Sequence, residues 1–231
     1  MGKIGNFIKN ELYGWKAVEI LWLVFSTLVI LSLSIYWGEN LIGIIAAITG
    51  IFCVILTGKG KMSSYIFGTV NTLLYAYIAL GAKYYGEVML NIIYYLPMNF
   101  VGFFMWSKYI NSENQEVEKR KLNIKNQLII LVLCCICIYG YGLVLKKLGG
   151  NLPFVDSMST VLSIFAQILC VKRYMEQWVL WIVVDVVTVI MWAIAFMNGG
   201  ESIATLIMWS IYLLNAIFMF AKWYKEGKAR E

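Results

Sequence analysis

The feature that most constrains this chain is its succession of apolar segments, each about as long as a membrane is thick. Of its 231 residues, 61% are hydrophobic and only 14% are charged, which leaves too little polar surface for a water-soluble fold. A helix needs about 20 apolar residues to span the hydrocarbon core. We therefore expect an all-α integral membrane protein. The sequence predicts eight transmembrane helices, over residues 17–37, 41–57, 64–82, 87–107, 127–146, 156–172, 177–197 and 202–221.

Basic residues are distributed unevenly over the two sides of this eight-span topology. Of the 19 Lys and Arg residues, 16 fall on one side, and only Lys83, Lys146 and Lys147 fall on the other. Cytoplasmic loops carry such an excess, so we expect both termini in the cytoplasm and the protein in the bacterial inner membrane. The net charge of +6 therefore indicates orientation in the lipid bilayer and not a nucleic-acid partner.

A segment of three predicted helices occurs twice. Shifting the chain by 113 residues against itself aligns Lys59 with Lys172 and Met62 with Met175, among other identities. Chance similarity between apolar segments is the alternative, but charged and glycine residues of the loops match as well. Because three crossings reverse the chain, the fifth span restores its direction, and the repeats are expected to be parallel, about an axis along the membrane normal.

These elements divide the chain into five parts. The charged segment 107–126 lacks apolar periodicity, so we expect it to be a solvated linker. The parts are a cytoplasmic N-terminus with an accessory helix (1–40), a first three-helix repeat (41–107), the cytoplasmic linker and a connecting helix (108–146), a second three-helix repeat (147–223) and a cytoplasmic tail (224–231).

Residues for catalysis or metal binding are missing from the sequence. It contains no histidine, no phosphate-binding loop and no nucleophile beside a base. Cys134, Cys135 and Cys137 lie within an apolar run and lack metal-site spacing. We therefore expect no enzyme activity, no cofactor and no bound metal.

Polar side chains within the spans are the candidate functional residues, because each costs free energy in hydrocarbon unless it faces a cavity or another helix. The single acid deep in a span is Asp185, and Trp178 and Trp181 share its helix face. An unpaired Asp there would cost on the order of 3 kcal/mol. Asp185 therefore needs a neighbouring helix, a water-filled cavity or a cationic ligand.

Amide and aromatic residues of other spans complete a predicted substrate-binding set. Aromatic faces hold flat rings and attract cations, amides recognise carboxamides and hydroxyls, and an acid offsets positive charge. Such a set suits a flat, positively charged, hydroxylated small molecule, although hydrogen bonds between helices would also explain some of its members. The further members are Asn71 and Tyr75 in span 3, Asn91, Tyr95 and Asn99 in span 4, Gln167 in span 6, and Tyr212 and Asn215 in span 8.

Several motifs match those of a known family. They are Phe67-Gly-Thr-Val-Asn71-Thr-Leu-Leu-Tyr75-Ala-Tyr77, Tyr85-Gly-Glu87 with Leu90-Asn91, and the stretch from Asp156 through Gln167, Lys172 and Trp178-x-x-Trp181 to Asp185. Over about residues 41–223 the sequence resembles the PnuC nicotinamide riboside transporters. The resemblance implies a three-plus-one-plus-three helix core related to the SWEET sugar transporters. It also implies alternating access around a central site, facilitated diffusion of this NAD precursor, and a cytoplasmic kinase that traps the substrate.

The resemblance also implies roles for individual residues. Trp178 and Trp181 would contact the ring of the substrate, whereas Asn99 stands where the family's span 4 motif has a glutamine. The residues implied to lie near the amide and ribose are Gln167, Asn71, Asn91 and Asp185.

Three alternatives remain open at this stage. Thiamine is also a flat cation, so a transporter of thiamine or another related vitamin would fit the same features. A multi-span sensor or scaffold would need a cytoplasmic docking element, for which the linker is the one candidate. A membrane enzyme is disfavoured because catalytic groups are missing, and the sequence does not decide whether the protein forms a homo-oligomer.

Overall fold

The computed structural model describes residues 3–81, 88–149, 153–197 and 203–229, and most of these residues are helical. Lys83 and the Tyr85-Gly-Glu87 motif lie outside the described residues. A two-residue strand β1 (Arg120–Lys121) pairs in parallel with β2 (Lys228–Ala229). The helices are α1 (Lys3–Leu12), α2 (Ala17–Tyr36), α3 (Leu41–Lys59), α4 (Ser63–Gly81), a π-helical segment (Leu90–Tyr95) that continues into α5 (Leu96–Ser107), α6 (Ile124–Lys147), α7 (Pro153–Val171), α8 (Gln177–Met197) and α9 (Ile203–Glu226).

Among the described helices, five are long and apolar enough to cross a membrane: α2, α3, α6, α7 and the Leu206–Glu226 part of α9. This confirms the prediction of an all-helical membrane protein. Helices also occupy the remaining predicted spans, in α4, in the π-helical segment with α5, and in α8. Helix α1 is an additional element that the span prediction did not include.

The π-helical segment lies immediately before Pro97. Proline has no backbone N–H, so Pro97 cannot donate to the carbonyl four residues earlier, and the regular helical pattern is interrupted. The N–H of Leu96 bonds the Asn91 carbonyl, five residues back. The chain therefore passes the proline as a continuous but locally widened helix.

The helices pack as two sets of three. Helices α3, α4 and α5 are consecutive neighbours, and so are α7, α8 and α9; we call these sets the first and second triple. Between the triples, α3 packs on α9 and α5 packs on α7, while α6 packs on α7 and α2 on both α3 and α9. The first helix of each triple thus meets the last helix of the other, as a two-fold relation would require.

The turns between the first two helices of each triple have the same backbone form. Gly60 and Arg173, which are 113 positions apart, have left-handed φ angles of 83° and 67°. Glycine adopts this conformation freely and arginine does not. The Arg173 guanidinium stacks 3.6 Å above the centre of the Tyr109 ring, which helps to hold the turn. The same 2.9 Å backbone bond closes both turns, from Lys61 N–H to the Leu56 carbonyl and from Tyr174 N–H to the Leu169 carbonyl.

Four large aromatic side chains pack together beside these turns. Tyr65 meets Trp106 at a centroid distance of 5.0 Å, and Trp178 meets Trp223 at 5.8 Å, both nearly perpendicular. Tyr65 and Trp178 are again 113 positions apart. Trp106 and Trp223 also link the triples through their indole N–H groups, which donate to the Cys170 carbonyl at 3.1 Å and the Gly58 carbonyl at 2.8 Å. We call these four residues the aromatic core.

The prediction that residues 107–126 form a solvated linker was wrong. Glu116, Val117 and Lys119 are only 5%, 2% and 6% exposed. Two of the charges that suggested solvation, Glu116 and Lys119, are paired with charges from distant segments, which the composition of the linker cannot reveal. We call the ordered part, residues 109–121, the strap.

The strap crosses both repeated turns and bonds the same carbonyl in each. Val117 N–H donates to the Gly60 carbonyl, and Arg120 N–H donates to the Arg173 carbonyl, each at 2.9 Å. The strap, α1, the two turns and the C-terminal end of α9 therefore meet at one end of the bundle, which we call the charged end.

The closest approach of α5 to α4 gives a test of this packing. A Cβ added at Gly102 would overlap the ring of Tyr65, which is only 4% exposed. We expect Gly102→Ala to destabilise the protein by about 1–3 kcal/mol and so to lower the thermal unfolding midpoint in detergent. The matched control Gly140→Ala, on α6 with open space around it, should not lower the midpoint. Equal midpoints for the two variants would contradict the described contact.

Candidate functional site

Polar groups of the first triple lie where α3 and α4 approach α9. The Asn71 amide donates to the Ala46 carbonyl at 2.7 Å. A Cβ at Gly50 would overlap the Tyr212 hydroxyl and lie 3.0 Å from the Asn71 amide nitrogen. The missing side chain at Gly50 thus allows Tyr212 of the second triple to reach Asn71 of the first.

Asn99 brings α5 to the same region of α4. Its amide donates to the Thr72 hydroxyl at 3.3 Å, and both residues are 6% exposed. Gly68, one turn before Thr72, faces Asn99 on one side and the Cys53 thiol on the other. The predicted residues Asn71 and Asn99 therefore lie on neighbouring helices, joined by small and hydroxyl side chains that the sequence did not single out.

Asp185 of the second triple is a buried acid. It is 4% exposed, and its carboxylate has no hydrogen-bond or ion-pair partner among the described residues. The Tyr212 hydroxyl is close enough to Asp185 and to Tyr75 to interact electrostatically with both. Tyr212 therefore connects the acid of the second triple with Asn71 and Tyr75 of the first.

Gln167 and the two predicted tryptophans differ in their surroundings. Gln167 on α7 is half-buried, and within the described part of the chain its side chain makes no hydrogen bond. Trp178 is 3% exposed and belongs to the aromatic core. Trp181 is half-buried and packs at the edge of two buried clusters. Of the two tryptophans, Trp181 is the one with an accessible face.

Asn91 and Tyr95 lie in the π-helical segment. Asn91 is 6% exposed, and Tyr95 packs against Tyr94 at a centroid distance of 5.3 Å. The Tyr94 hydroxyl, which the sequence did not single out, donates to the Ile164 carbonyl of α7 at 2.7 Å. This bond ties the π-helical segment of the first triple to the second triple.

Asn215 is not brought together with the other predicted residues. Its amide donates to the Val54 carbonyl at 3.2 Å, and its oxygen accepts from the Trp22 indole at 3.3 Å. The side chain is 1% exposed and lies where α2, α3 and α9 meet. Asn215 therefore joins helices to one another.

A network of buried charges closes the charged end. Glu116 of the strap lies 2.8 Å from Lys59 of α3, 2.7 Å from Lys119 and 3.7 Å from Lys222 of α9. Burial alone would raise the pKa of the Glu116 carboxyl, but Lys119, Lys222 and Lys59 together hold that pKa below its usual value. The network continues from Lys59 and Lys222 to Glu19 at 2.5 and 2.8 Å, and from Lys119 to Glu226.

Lys61 fastens the end of α1 to the strap. Its ammonium group donates to the carbonyls of Asn10, Tyr13 and Gln115 at 3.0, 2.9 and 2.9 Å, and the residue is fully buried. Burial lowers the pKa of the Lys61 amine. Lys61, one of the basic residues used to predict the orientation, thus also binds three backbone carbonyls.

Comparison with known proteins extends over nearly the whole chain. Residues 40–225 match the family described as nicotinamide mononucleotide transporter. The chain is 39% identical over 223 residues to the nicotinamide riboside transporter PnuC of Neisseria mucosa, covering 94% of this chain and 85% of the relative. It is 33% identical over 214 residues to the protein of the same name from Haemophilus influenzae, covering 92% of each.

A solved structure has the same fold. The crystal structure of the vitamin B3 transporter PnuC superposes with a TM-score of 0.83 at 37% sequence identity. The alignment covers 95% of this chain and 96% of that chain.

The charge network predicts a pH-dependent stability difference. Glu116→Gln removes the carboxylate that Lys59 and Lys119 share but leaves them Glu19 and Glu226. We therefore expect a loss of about 1.5–3 kcal/mol at neutral pH. Because the pKa of Glu116 is below its usual 4.5, its contribution is complete above pH 4.5 and is lost as the pH falls through the folded-state value. The difference in unfolding free energy between wild type and variant should therefore shrink on acidification.

Thermal or denaturant unfolding between pH 7 and pH 3 would measure this difference. Glu113→Gln is the matched control, since Glu113 is an exposed residue of the same strap. A Glu116→Gln effect no larger than that of Glu113→Gln at neutral pH would contradict the network.

Proposed function

Because the chain belongs to the nicotinamide mononucleotide transporter family, we propose that it carries nicotinamide riboside across the bacterial inner membrane by facilitated diffusion. The protein is a transmembrane transporter. The observation that carries the substrate class is the buried Asp185 carboxylate, which has no hydrogen-bond or ion-pair partner among the described residues and lies within electrostatic range of Tyr212, the residue that reaches Asn71. The names of the relatives support the choice of nicotinamide riboside within that class.

The chemistry of the substrate matches the chemistry of these residues. Nicotinamide riboside is a flat pyridinium cation with a carboxamide and a hydroxylated ribose. Asp185 would offset its charge, Trp181 would pack on its ring, and Asn71 and Gln167 would bond the carboxamide or the ribose hydroxyls. The amide nitrogen of Asn71 is bonded to Ala46, so its oxygen is the atom that would accept a bond from the substrate.

We propose lesser roles for most of the remaining predicted residues. Tyr75, Tyr212 and Asn99 would shape the walls, and Asn91 and Tyr95 would contribute from the π-helical segment. Trp178 would support the site from the aromatic core without an open face. We leave Asn215 out, because both ends of its amide are bonded to other helices.

Nicotinamide mononucleotide fits this interior less well than the riboside does. Its phosphate would carry negative charge into a region whose formal charge is the Asp185 carboxylate. The buried Lys59 and Lys119 and the half-buried Lys222 are paired with glutamates at the charged end. We therefore propose that the substrate is the riboside, which lacks the phosphate.

We further propose eight transmembrane helices and two parallel repeats, linked by α6 and preceded by α2. The reciprocal packing of α3 on α9 and of α5 on α7 supports a two-fold relation. The equivalent turns at Gly60 and Arg173 support the same relation. By the distribution of basic residues, the charged end with both termini would face the cytoplasm.

Alternating access would then require the charged end to open. The aromatic core and the strap close that end, which in the proposed orientation would make this a transporter closed toward the cytoplasm. Opening would separate Trp106 from α7 and Trp223 from α3, and would release the strap from at least one turn. A cytoplasmic kinase that phosphorylates the substrate would make the net flux inward. The proposed transport does not depend on the oligomeric state.

Calorimetry with purified protein tests the substrate and its binding residue together. Wild type should bind nicotinamide riboside, and Asp185→Asn should weaken binding roughly 10- to 100-fold, because a hydrogen-bonded charge contributes about 1.5–3 kcal/mol. Asp156→Asn is the matched control, since Asp156 is an exposed acid of α7, and its affinity should be unchanged.

A substrate panel separates the alternatives. Heat from thiamine with none from nicotinamide riboside would overturn the substrate assignment and leave the family membership intact. Binding of the riboside without its uptake into proteoliposomes would instead favour a sensor. Equal affinity of Asp185→Asn and wild type would remove Asp185 from the site.

A further inference from the structure

Helix α1 presents an apolar face with no partner among the described residues. Ile4, Ile8 and Leu12 recur every four residues, so they share a face, and they are 77%, 51% and 73% exposed. The neighbouring side of α1 is anchored, because the Glu11 carboxylate accepts bonds from the Ser63 N–H at 3.2 Å and from its hydroxyl at 2.5 Å. The helix is thus held in place with its apolar face turned outward.

The position of α1 places this face at the membrane surface. Helix α1 ends at Leu12, and the first apolar span begins at Ala17. Trp15, in the connection, donates its indole N–H to the Glu11 carbonyl at 2.9 Å, and Lys9 and Lys16 are exposed. Amphipathic helices with exposed lysines and an interfacial tryptophan lie in the plane of the bilayer surface.

A cavity of about 500 Å³ lies between α2, α3 and α9 and is bordered by Trp15 of the connection from α1. Its walls are almost entirely apolar, formed by residues such as Trp22, Phe25 and Phe218. Val18 and Leu21, which also line it, are 76% and 67% exposed, so the cavity opens on the outer face of the helices. Its lining includes none of the residues of the proposed substrate site, so the two are separate.

The polar end of this cavity belongs to the charge network, in which three described lysines balance three glutamates. It is formed by Lys59, Lys222 and Glu19. Lys59 is 2% exposed and Lys222 is 16% exposed, so Lys222 is the more accessible cation. An occupant with an apolar chain and an anionic head would complement the apolar walls and the exposed Lys16, which follows the lining residue Trp15.

We propose that α1 and this cavity form a binding site for an anionic phospholipid of the leaflet at the charged end. One acyl chain occupies the cavity along α2, and the phosphate lies at the rim of the cavity, near the exposed Lys16 beside Trp15. Ile4, Ile8 and Leu12 enter the adjacent acyl boundary. A lysine at an anionic membrane surface contributes to such binding and to the preference for anionic over zwitterionic lipid.

Native mass spectrometry of the full chain in detergent, with phosphatidylglycerol or phosphatidylcholine added, tests the cavity. Leu21→Trp would fill it without removing a charge, and Leu28→Trp is the matched control. Leu28 lies on the same face of α2 two turns further on, is 56% exposed and does not line the cavity. We expect wild type and Leu28→Trp to retain phosphatidylglycerol over phosphatidylcholine, and Leu21→Trp to retain roughly tenfold less.

The face of α1 is tested by the rise in unfolding temperature that phosphatidylglycerol produces. Ile8→Asp should reduce this rise more than Asn6→Asp, an equal change of charge at an exposed polar position of the same helix. If Leu21→Trp does not fold, Val18→Trp fills the cavity from the preceding turn and the same comparison applies. Equal retention by the cavity variant and Leu28→Trp, equal binding of the two lipids, or equal effects of the two α1 variants would overturn the proposal.

Discussion

The buried carboxylate of Glu116 is the interaction on which the closed charged end depends. It faces amines from α3, from the strap and from α9, so one group of the strap compensates charges of both triples. Lys59 is 2% exposed, and without a counter-charge its burial would be strongly unfavourable. Once Glu116 is fixed there, Val117 and Arg120 lie opposite the carbonyls of the two turns. The order of the strap is thus a consequence of charge compensation.

Local signals predicted the helices because the bilayer imposes a length and a composition on each of them. The two repeated turns were also visible in the sequence, as matches of Lys59 with Lys172 and Met62 with Met175. The strap was mispredicted because its partners are remote: Glu116 and Lys59 are 57 positions apart, and Lys119 and Glu226 are 107 apart. A charge-rich segment resembles a solvated linker until its counter-charges are placed in space.

The free-energy cost of polar groups in hydrocarbon singled out Asp185 and Asn71, and the structure places Tyr212 near both. The same argument cannot tell a ligand contact from a bond between helices, and Asn215 illustrates this because its amide is bonded to α2 and α3. Helical periodicity put Trp178 and Trp181 on one face but could not show that only Trp178 is enclosed by other rings. Gly50 carried no sequence signal, since its importance is the space that it leaves for Tyr212.

The π-helical segment before Pro97 has a mechanical consequence. After Pro97, Trp106 donates to the Cys170 carbonyl near the charged end; before it, Tyr94 donates to the Ile164 carbonyl of the same helix, α7. Proline removes one main-chain donor between these two attachments, so the helix has a joint where bending breaks few bonds. The last helix of the first triple therefore consists of two segments that are hydrogen-bonded separately to α7. One segment can change its angle while the other stays bonded.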